Sequence, residues 1–409
     1  MKIAIVGTGL TGLRCAMELN EFAKVKIFEK NSFGGLLSSF CKDYCIEKFY
    51  HHAFKSDSEL INLVEELGLS SKLVWNTVKV GFAKNGKIYS LSTPIEILKF
   101  PYMSFLEKVR LTLFTLGSKK KRFRDFDEIE AIEAIKNELG ENILKNFFMP
   151  MLKAKFGENA SKVSYAWLLA RVAMRSNRKL RGEEIGYLRH GFFQLIDKMF
   201  EKCEKVEIIK KNAKIGRNGN WNVNGEIFDA VVFTAPLPEL GDFREKLGIP
   251  EINYQSSICA LLSLKESLSD VYWVNVDSSS FGAIIEHTNF MPLEDYGEVL
   301  VYLASYSMPT SDLLNLSDFE IEKIFMKDLR KFGVENKELN WIKIFRAKFS
   351  SPIYEKGFFK KITPYKVYDG FYIAGMTSKP NYPERSMNGS LIAGREVAEQ
   401  IKKDFGFIT

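Results

Sequence analysis

The sequence is short of what would make a metal cage, a disulfide scaffold or a membrane span. Its five cysteines (Cys15, Cys41, Cys45, Cys203 and Cys259) are odd in number and form no C-x-x-C pair, and there are only four histidines. A zinc cage and a disulfide framework are therefore excluded as expectations, and reduced, mostly buried thiols in a cytoplasmic protein are predicted. No uncharged apolar run reaches the length of a membrane span. A secretory leader is not expected either, because Met1-Lys2 runs straight into strand-like Ile3-Ala4-Ile5-Val6. Internal repeats and low-complexity linkers are also missing, so 409 residues predict about two or three ordinary domains.

What is there in quantity is phenylalanine, 33 residues of it, and a net charge of +7. The charge is uneven. Lys119, Lys120, Lys121, Arg122 and Arg124 form one basic cluster. A second group, Arg171, Arg175, Arg178, Lys179, Arg181 and Arg189, is offset only by Glu183 and Glu184. Outside these two patches the chain is close to neutral, which argues against nucleic acid as a partner.

The N-terminus has a specific order. The apolar run Ile3–Val6 suits a strand buried on both faces. It leads into Gly7-Thr8-Gly9-Leu10-Thr11-Gly12, then a helical segment, then a second strand, Lys24–Phe28, ending at Glu29-Lys30. In such a G-x-G-x-x-G turn the first glycine permits the tight bend. The second lets a pyrophosphate approach the backbone, and the third lets helix and strand pack closely. The phosphates then face the free N–H groups of the helix start. Glu29 stands where a carboxylate accepts the hydroxyls of an adenine ribose, and it would repel a 2′-phosphate. A dinucleotide site is predicted, with Gly7, Gly9, Leu10, Thr11, Gly12, Glu29 and Lys30 in contact. A second pair, Gly34-Gly35 followed by Leu36, also allows close approach of backbone to an extended cofactor. Near the other end, Gly370-Phe371-Tyr372-Ile373-Ala374-Gly375 reads as a strand ending in glycine. Met387-Asn388-Gly389-Ser390 then opens a helix.

These segments, with Tyr187–Ile196 and Phe228–Pro236 between them, resemble the FAD-dependent amine oxidase, protoporphyrinogen oxidase and phytoene desaturase superfamily. Within it the chain is most similar to protoporphyrinogen-oxidase-like oxidoreductases. The resemblance implies FAD as cofactor, held also by Gly375, Met387 and Asn388. It implies an α/β fold: a discontinuous Rossmann-like FAD-binding domain (1–75, 188–245 and 360–409) with a mixed α+β substrate domain (76–187 and 246–359). Independently of it, 256–264 and 299–305 read as strands, 125–178 as mainly helical, and 217–220 as a hairpin turn. The sequence departs from the superfamily at Met376, where many members carry an acid.

A flavin accepts hydride itself, so the protein's own task is to position substrate and tune the ring. His51, His52 and His287 are the candidate catalytic residues, as proton carriers or hydrogen-bond partners, with a structural role as the alternative for each. Arg171, Arg175 and Arg178 at i, i+4 and i+7 share a helix face and, with Asn289, are candidates for binding substrate; a solvated face is the alternative. Lys153 and Lys155 read as surface lysines, the alternative implied by the resemblance being the lysine that some amine oxidases place near flavin N5. The apolar stretch 95–116, beside the 119–124 cluster, reads either as a segment resting on anionic lipid or as a core-facing helix pair. The expected activity is hydride transfer to FAD from a largely apolar or conjugated small molecule, in the cytoplasm or at the inner membrane face. Two alternatives are kept: a redox-neutral sugar-nucleotide mutase, and a non-enzymatic lipid chaperone of the GDP-dissociation-inhibitor fold.

Overall fold

The computed structural model describes residues 1–175 and 182–408. In its first part, β1 (Lys2–Val6) and β2 (Lys24–Phe28) flank α1 (Leu10–Leu19), and a short hairpin follows, β3 (Ser39–Cys41) and β4 (Cys45–Glu47). After α2 (Ser58–Glu66) come β5 (Leu73–Val78), β6 (Val80–Lys84) and β7 (Lys87–Ser90). A helical lobe is next: α3 (Pro94–Lys99), α4 (Phe105–Ser118), α5 (Ala131–Leu139), α6 (Glu141–Ile143), α7 (Met149–Phe156) and α8 (Tyr165–Arg175). The chain then passes through β8 (Glu183–Leu188), α9 (Phe193–Lys202), β9 (Glu207–Ile209) and a meander of β10 (Ile215–Asn218), β11 (Asn220–Val223) and β12 (Glu226–Phe228). Next come β13 (Ala230–Phe233), α10 (Asp242–Lys246), β14 (Tyr254–Leu264), β15 (Trp273–Val276), β16 (Ala283–Glu286) and β17 (Val299–Ser307). The last elements are α11 (Asp318–Leu329), β18 (Leu339–Pro352), β19 (Lys366–Tyr368), β20 (Phe371–Ile373) and α12 (Met387–Asp404).

Six strands in the order β19-β20-β13-β1-β2-β9 make the first sheet, parallel except at the β19 edge. Its apolar runs are continuous because both faces are covered. Ile3 and Ile5 point into a core shared with Leu13, Ala16 and Leu391 of α1 and α12. Ala4 and Val6 point the other way, toward Trp221, Val223 and Phe228 of the meander. Strand alternation thus assigns each residue to one of two cores.

The second sheet has seven strands, β18-β14-β17-β16-β15-β6-β7, and all eleven residues of β14 are buried. Ile258, Ala260 and Leu262 pack beneath Ile321, Phe325 and Leu329 of α11. Cys259 and Leu261, on the opposite face, join the core that also holds α1. Two antiparallel strands, β5 and β8, pair with each other and add Val78, Ile185 and Leu188 to that same core. The strands read from sequence at 256–264 and 299–305 are here, and Asn218-Gly219 turns the β10–β11 hairpin.

One expectation needs correcting. Cys41 and Cys45 face each other directly across the β3–β4 hairpin and form a disulfide, so the thiols are not all reduced. Cys15, Cys203 and Cys259 are free and buried. The cysteine count gave no hint of the pair, because only hairpin register brings positions 41 and 45 opposite one another.

Candidate active site

At the C-terminal end of β1 the backbone has no room for side chains. Gly7 has φ +108°, and a Cβ on Gly12 would lie 2.1 Å from the Gly7 carbonyl oxygen. Gly9 differs: a Cβ there would meet nothing within 4 Å, so the space beside it is open. The second glycine turn folds over the first, with Gly35 placed so that a Cβ would lie 3.5 Å from the Gly9 Cα. Gly9 is also the N-cap of α1, and no side chain caps this helix and no acid lies in its first turn. By contrast α3, α4 and α11 each carry a complete capping box. An uncapped helix start beside an open glycine is the donor set that a diphosphate takes.

Glu29 is buried at the end of β2, and its carboxylate accepts from the Thr8 N–H (2.9 Å), the Thr8 hydroxyl (2.8 Å) and the Asn31 N–H (2.7 Å). That fixes an anion beside the glycine turn, where an adenine ribose needs one. Lys30 reaches away to pair with Glu239, and Leu10 is buried. Thr11 donates its hydroxyl to the Ser390 carbonyl (2.9 Å). Close by, a Cβ on Gly394 would lie 2.5 Å from the Thr11 carbonyl oxygen. This crossing of α1 and α12 fixes where the first turn of α12 begins.

Asn381 was not singled out from sequence, and it sets that turn. It is fully buried, donates to the Gly375 carbonyl (2.9 Å) and accepts from the Ser386 N–H (2.9 Å). It therefore ties the glycine after β20 to the cap of α12. Asn388 accepts from the Leu60 N–H (3.1 Å), joining α12 to α2, while Met387 is half-buried. Met376, where an acid was missing, packs among apolar neighbours.

The other approach to this region is the segment after β4. Glu47 is buried, accepts from the Tyr187 hydroxyl and the Phe192 N–H, and has its pKa pushed up by burial. Tyr50 meets the Tyr306 hydroxyl. His51 bonds through Nδ1 to the Phe49 carbonyl (2.6 Å), and burial together with nearby Arg385 lowers its pKa to about 4. His52 lies edge-on to Phe54, Tyr272 and Trp273.

Beyond these groups lies a cavity of about 270 Å³ under α4, α7 and α8. Its walls are largely apolar, including Phe82, Met103, Phe148, Met151, Leu168 and Trp273. Lys155, Arg171, Asn275 and Tyr306 give it a polar part. Arg171 is paired with Glu384 at 3.0 Å, and the second Glu384 oxygen is buried with no partner. The cavity is thereby joined to two segments at once. Tyr306 touches the 47–52 segment, and Arg171 touches the loop that enters α12.

The candidates from sequence divide accordingly. Arg171 lines the cavity, whereas Arg178 and the side chain of Arg175 lie outside the described residues. Lys155, read as a surface lysine, is a cavity residue beside the rings of Phe156, Trp167 and Tyr306. Lys153 is exposed. His287 is packed against Tyr187 and Tyr296 and bonds the Tyr296 hydroxyl (2.7 Å), away from the cavity walls. Asn289 donates to the carbonyls of Ser269 (2.7 Å) and Val271 (3.2 Å), closing a loop instead of facing the cavity. Tyr50, Trp273 and Tyr306 were missed. Only Tyr50, adjoining the histidine pair, had a local signal.

A glycine-built dinucleotide cradle lies at the end of one sheet, and strands of the other sheet line an apolar cavity; the pair fits a dinucleotide-dependent enzyme. The model of the flavin-containing amine oxidoreductase family matches residues 10–402, and the chain belongs to that family. It is an FAD-dependent oxidoreductase, and the Gly9 cradle and Glu29 fit its cofactor. Among solved structures, it is similar to a protein assigned as a protoporphyrinogen oxidase from Exiguobacterium sp. 255-15. The two are 19% identical with TM-score 0.81, over 98% of this chain and 99% of that one. Reduced UDP-galactopyranose mutase matches at 17% identity and TM-score 0.75, over 100% and 94%. Cyclohexylamine oxidase from Brevibacterium oxydans IH-35A matches at 13% and 0.74, over 99% of each chain. At these identities the likeness is one of fold. No curated protein matches the chain in sequence. The family match does not favour the mutase alternative, and it sets the enzyme reading above the chaperone.

Proposed function

We propose that this enzyme dehydrogenates a largely apolar small molecule held in the cavity under α4, α7 and α8. The observation that supports the reading is the cavity's position. Its polar part meets both the 47–52 segment and the loop entering α12, so a substrate there lies next to the groups that surround the cofactor in this reading. FAD, held by the Gly7–Gly12 turn, Glu29 and Gly34-Gly35, supplies the hydride acceptor.

The chain's own residues do the rest. Apolar walls exclude water and orient the substrate through its shape. Lys155, Arg171 and Tyr306 offer donors to a carbonyl, carboxylate or phosphate on the substrate, which sets which end enters first. With its pKa near 4, His51 is neutral at pH 7, so it serves there as a hydrogen-bond partner and not as a charged acid. With FAD bound, the N–H groups left free at the start of α12 would favour negative charge on the flavin.

The test is anaerobic mixing of the purified flavoprotein with a panel of apolar isoprenoid, tetrapyrrole and amine compounds. Bleaching of the oxidised-flavin spectrum by at least one apolar compound is expected, with KM raised about tenfold in Lys155→Met, as loss of one charge-assisted hydrogen bond gives. Reduction by hydrophilic compounds alone, unaffected by Lys155→Met, would remove the cavity from the reaction.

A further inference from the structure

The helix that covers the cavity is amphipathic in the unexpected direction. At 100° per residue, Phe105, Leu106, Val109, Leu113 and Leu116 of α4 fall within about 100° of one another. All five face outward, 40% to 69% exposed. The inward side of the same helix carries Lys108, Phe114 and Ser118, which are buried. The Lys108 amine donates to the Leu98 carbonyl (2.7 Å), and the hydroxyls of Thr112 and Thr115 donate to carbonyls one turn back. Nothing polar is left to face water on the outer arc. Ile95 and Leu98 of α3 extend it, 65% and 52% exposed. Among the described residues, seven of the seventeen large exposed apolar side chains thus fall between positions 95 and 116. That is a patch and not the usual scatter.

Charge indicates what covers it. Lys99, Arg110, Lys119, Lys120 and Arg122 are exposed on the same two helices or just beyond α4. The acids there are engaged: Glu96 and Glu107 close the capping boxes on Thr93 and Ser104, and Asp125 lies 3.9 Å from Arg122, leaving the rim net positive. Lys121 is turned inward onto Glu138 (3.0 Å) and the Tyr165 ring. An apolar surface rimmed by cations would repel its own image in a symmetric dimer. It complements lipid tails beneath anionic headgroups. The patch is also continuous with the cavity, because Leu116 belongs to both the exposed arc and the cavity wall. Among the described residues no helix is long and apolar enough to cross a membrane, so such contact is in the plane of the surface.

We propose that the α3–α4 face docks on an anionic bilayer surface and that the cavity fills from it with a membrane-dissolved amphiphile. The second half rests on the reading of the cavity as the substrate chamber; the first half does not. The test is co-sedimentation of the flavin-loaded protein with vesicles of phosphatidylcholine alone or mixed with phosphatidylglycerol. Binding to the mixed vesicles is expected, weakened by salt. It should fall about tenfold or more in Leu106→Glu/Leu113→Glu, whose exposed positions leave the fold and flavin spectrum unchanged. Lys119→Gln/Lys120→Gln/Arg122→Gln should weaken binding to the phosphatidylglycerol vesicles only. Wild-type protein left in the supernatant with both vesicle types overturns the proposal. So does a double-Glu variant that sediments like wild type, or a concentration-dependent dimer that the variant abolishes. Turnover of a soluble apolar substrate without vesicle binding would retain the proposed reaction and reject the docking. Vesicle binding without turnover would do the reverse.

Discussion

The glycine cradle and the cavity proposed for the substrate present different parts of the chain to a ligand. Around Gly7, Gly9 and Gly12 the atoms offered are backbone, and side chains are absent because there is no space or because the space must stay open. In the cavity the atoms offered are side chains, drawn chiefly from α4, α7, α8 and the four strands β6, β15, β16 and β17. A backbone site depends on local dihedral angles and close approach. A side-chain site depends on how distant elements pack. Substitutions should therefore act in different ways at the two ends.

The largest effect is expected at Gly12. Gly12→Val forces a Cβ against the Gly7 carbonyl, with a cost above about 3 kcal/mol, and folded yield and bound flavin should fall together. Gly9→Val should separate the two. With open space at the Cβ, Tm should stay within about 2 °C while FAD affinity falls by about a hundredfold, measured by flavin-to-protein ratio and titration of the apoprotein. If Gly9→Val kept its flavin, the open space would not be the diphosphate site and the comparison would break.

A smaller effect is expected in the packed core around His287. Burial lowers the His287 pKa from 6.5 to about 3, so the folded protein holds it neutral. The unfolded chain takes up a proton below about 6.5. The stability that His287 contributes is thus fully present above that pH and is lost as pH falls toward 3. His287→Phe loses the bond to Tyr296 and should be about 1–2 kcal/mol less stable at pH 7.5. By pH 4.5 the deficit should have narrowed or reversed, since only the wild type must keep an imidazole neutral. Urea unfolding at the two pH values measures this, and an unchanged deficit would refute it. Glu47, with its raised pKa, is common to both proteins and cancels in the difference.

The smallest effect belongs to the cavity. Met151→Trp should fill space without loss of flavin, changing Tm by less than about 2 °C while raising KM for an apolar substrate severalfold. A loss of flavin instead would mean that the two sites are not separable.

The same contrast explains what could be read from sequence. The β1–turn–α1–β2 order, Glu29 and the start of α12 were legible because each depends on residues near one another in the chain. Lys155, Trp273 and Tyr306 were not. Lys155 has an ordinary helical surrounding, and only α7 packing toward β15 and β17 places it inside. His287 stood out as one of four histidines, yet its surroundings are Tyr187 and Tyr296, one of them a hundred positions away. The 95–116 stretch was left between lipid and core by its pattern. Phe114 is buried while Leu106 and Leu113 are exposed, so the helix presents apolar groups on two sides.

The strand order of the first sheet has a consequence for how the protein is made. The main-chain amide of Lys2 donates to the Asp229 carboxylate (2.7 Å), a partner 227 residues further on. At synthesis rates of about 5–20 residues per second, β1 waits roughly 10 to 45 s for the strand that covers its open edge. The start of α12 emerges later still. A growing chain therefore carries the glycine turn well before β13 and α12, which pack against it, so the cradle is completed only after Gly394 has been made.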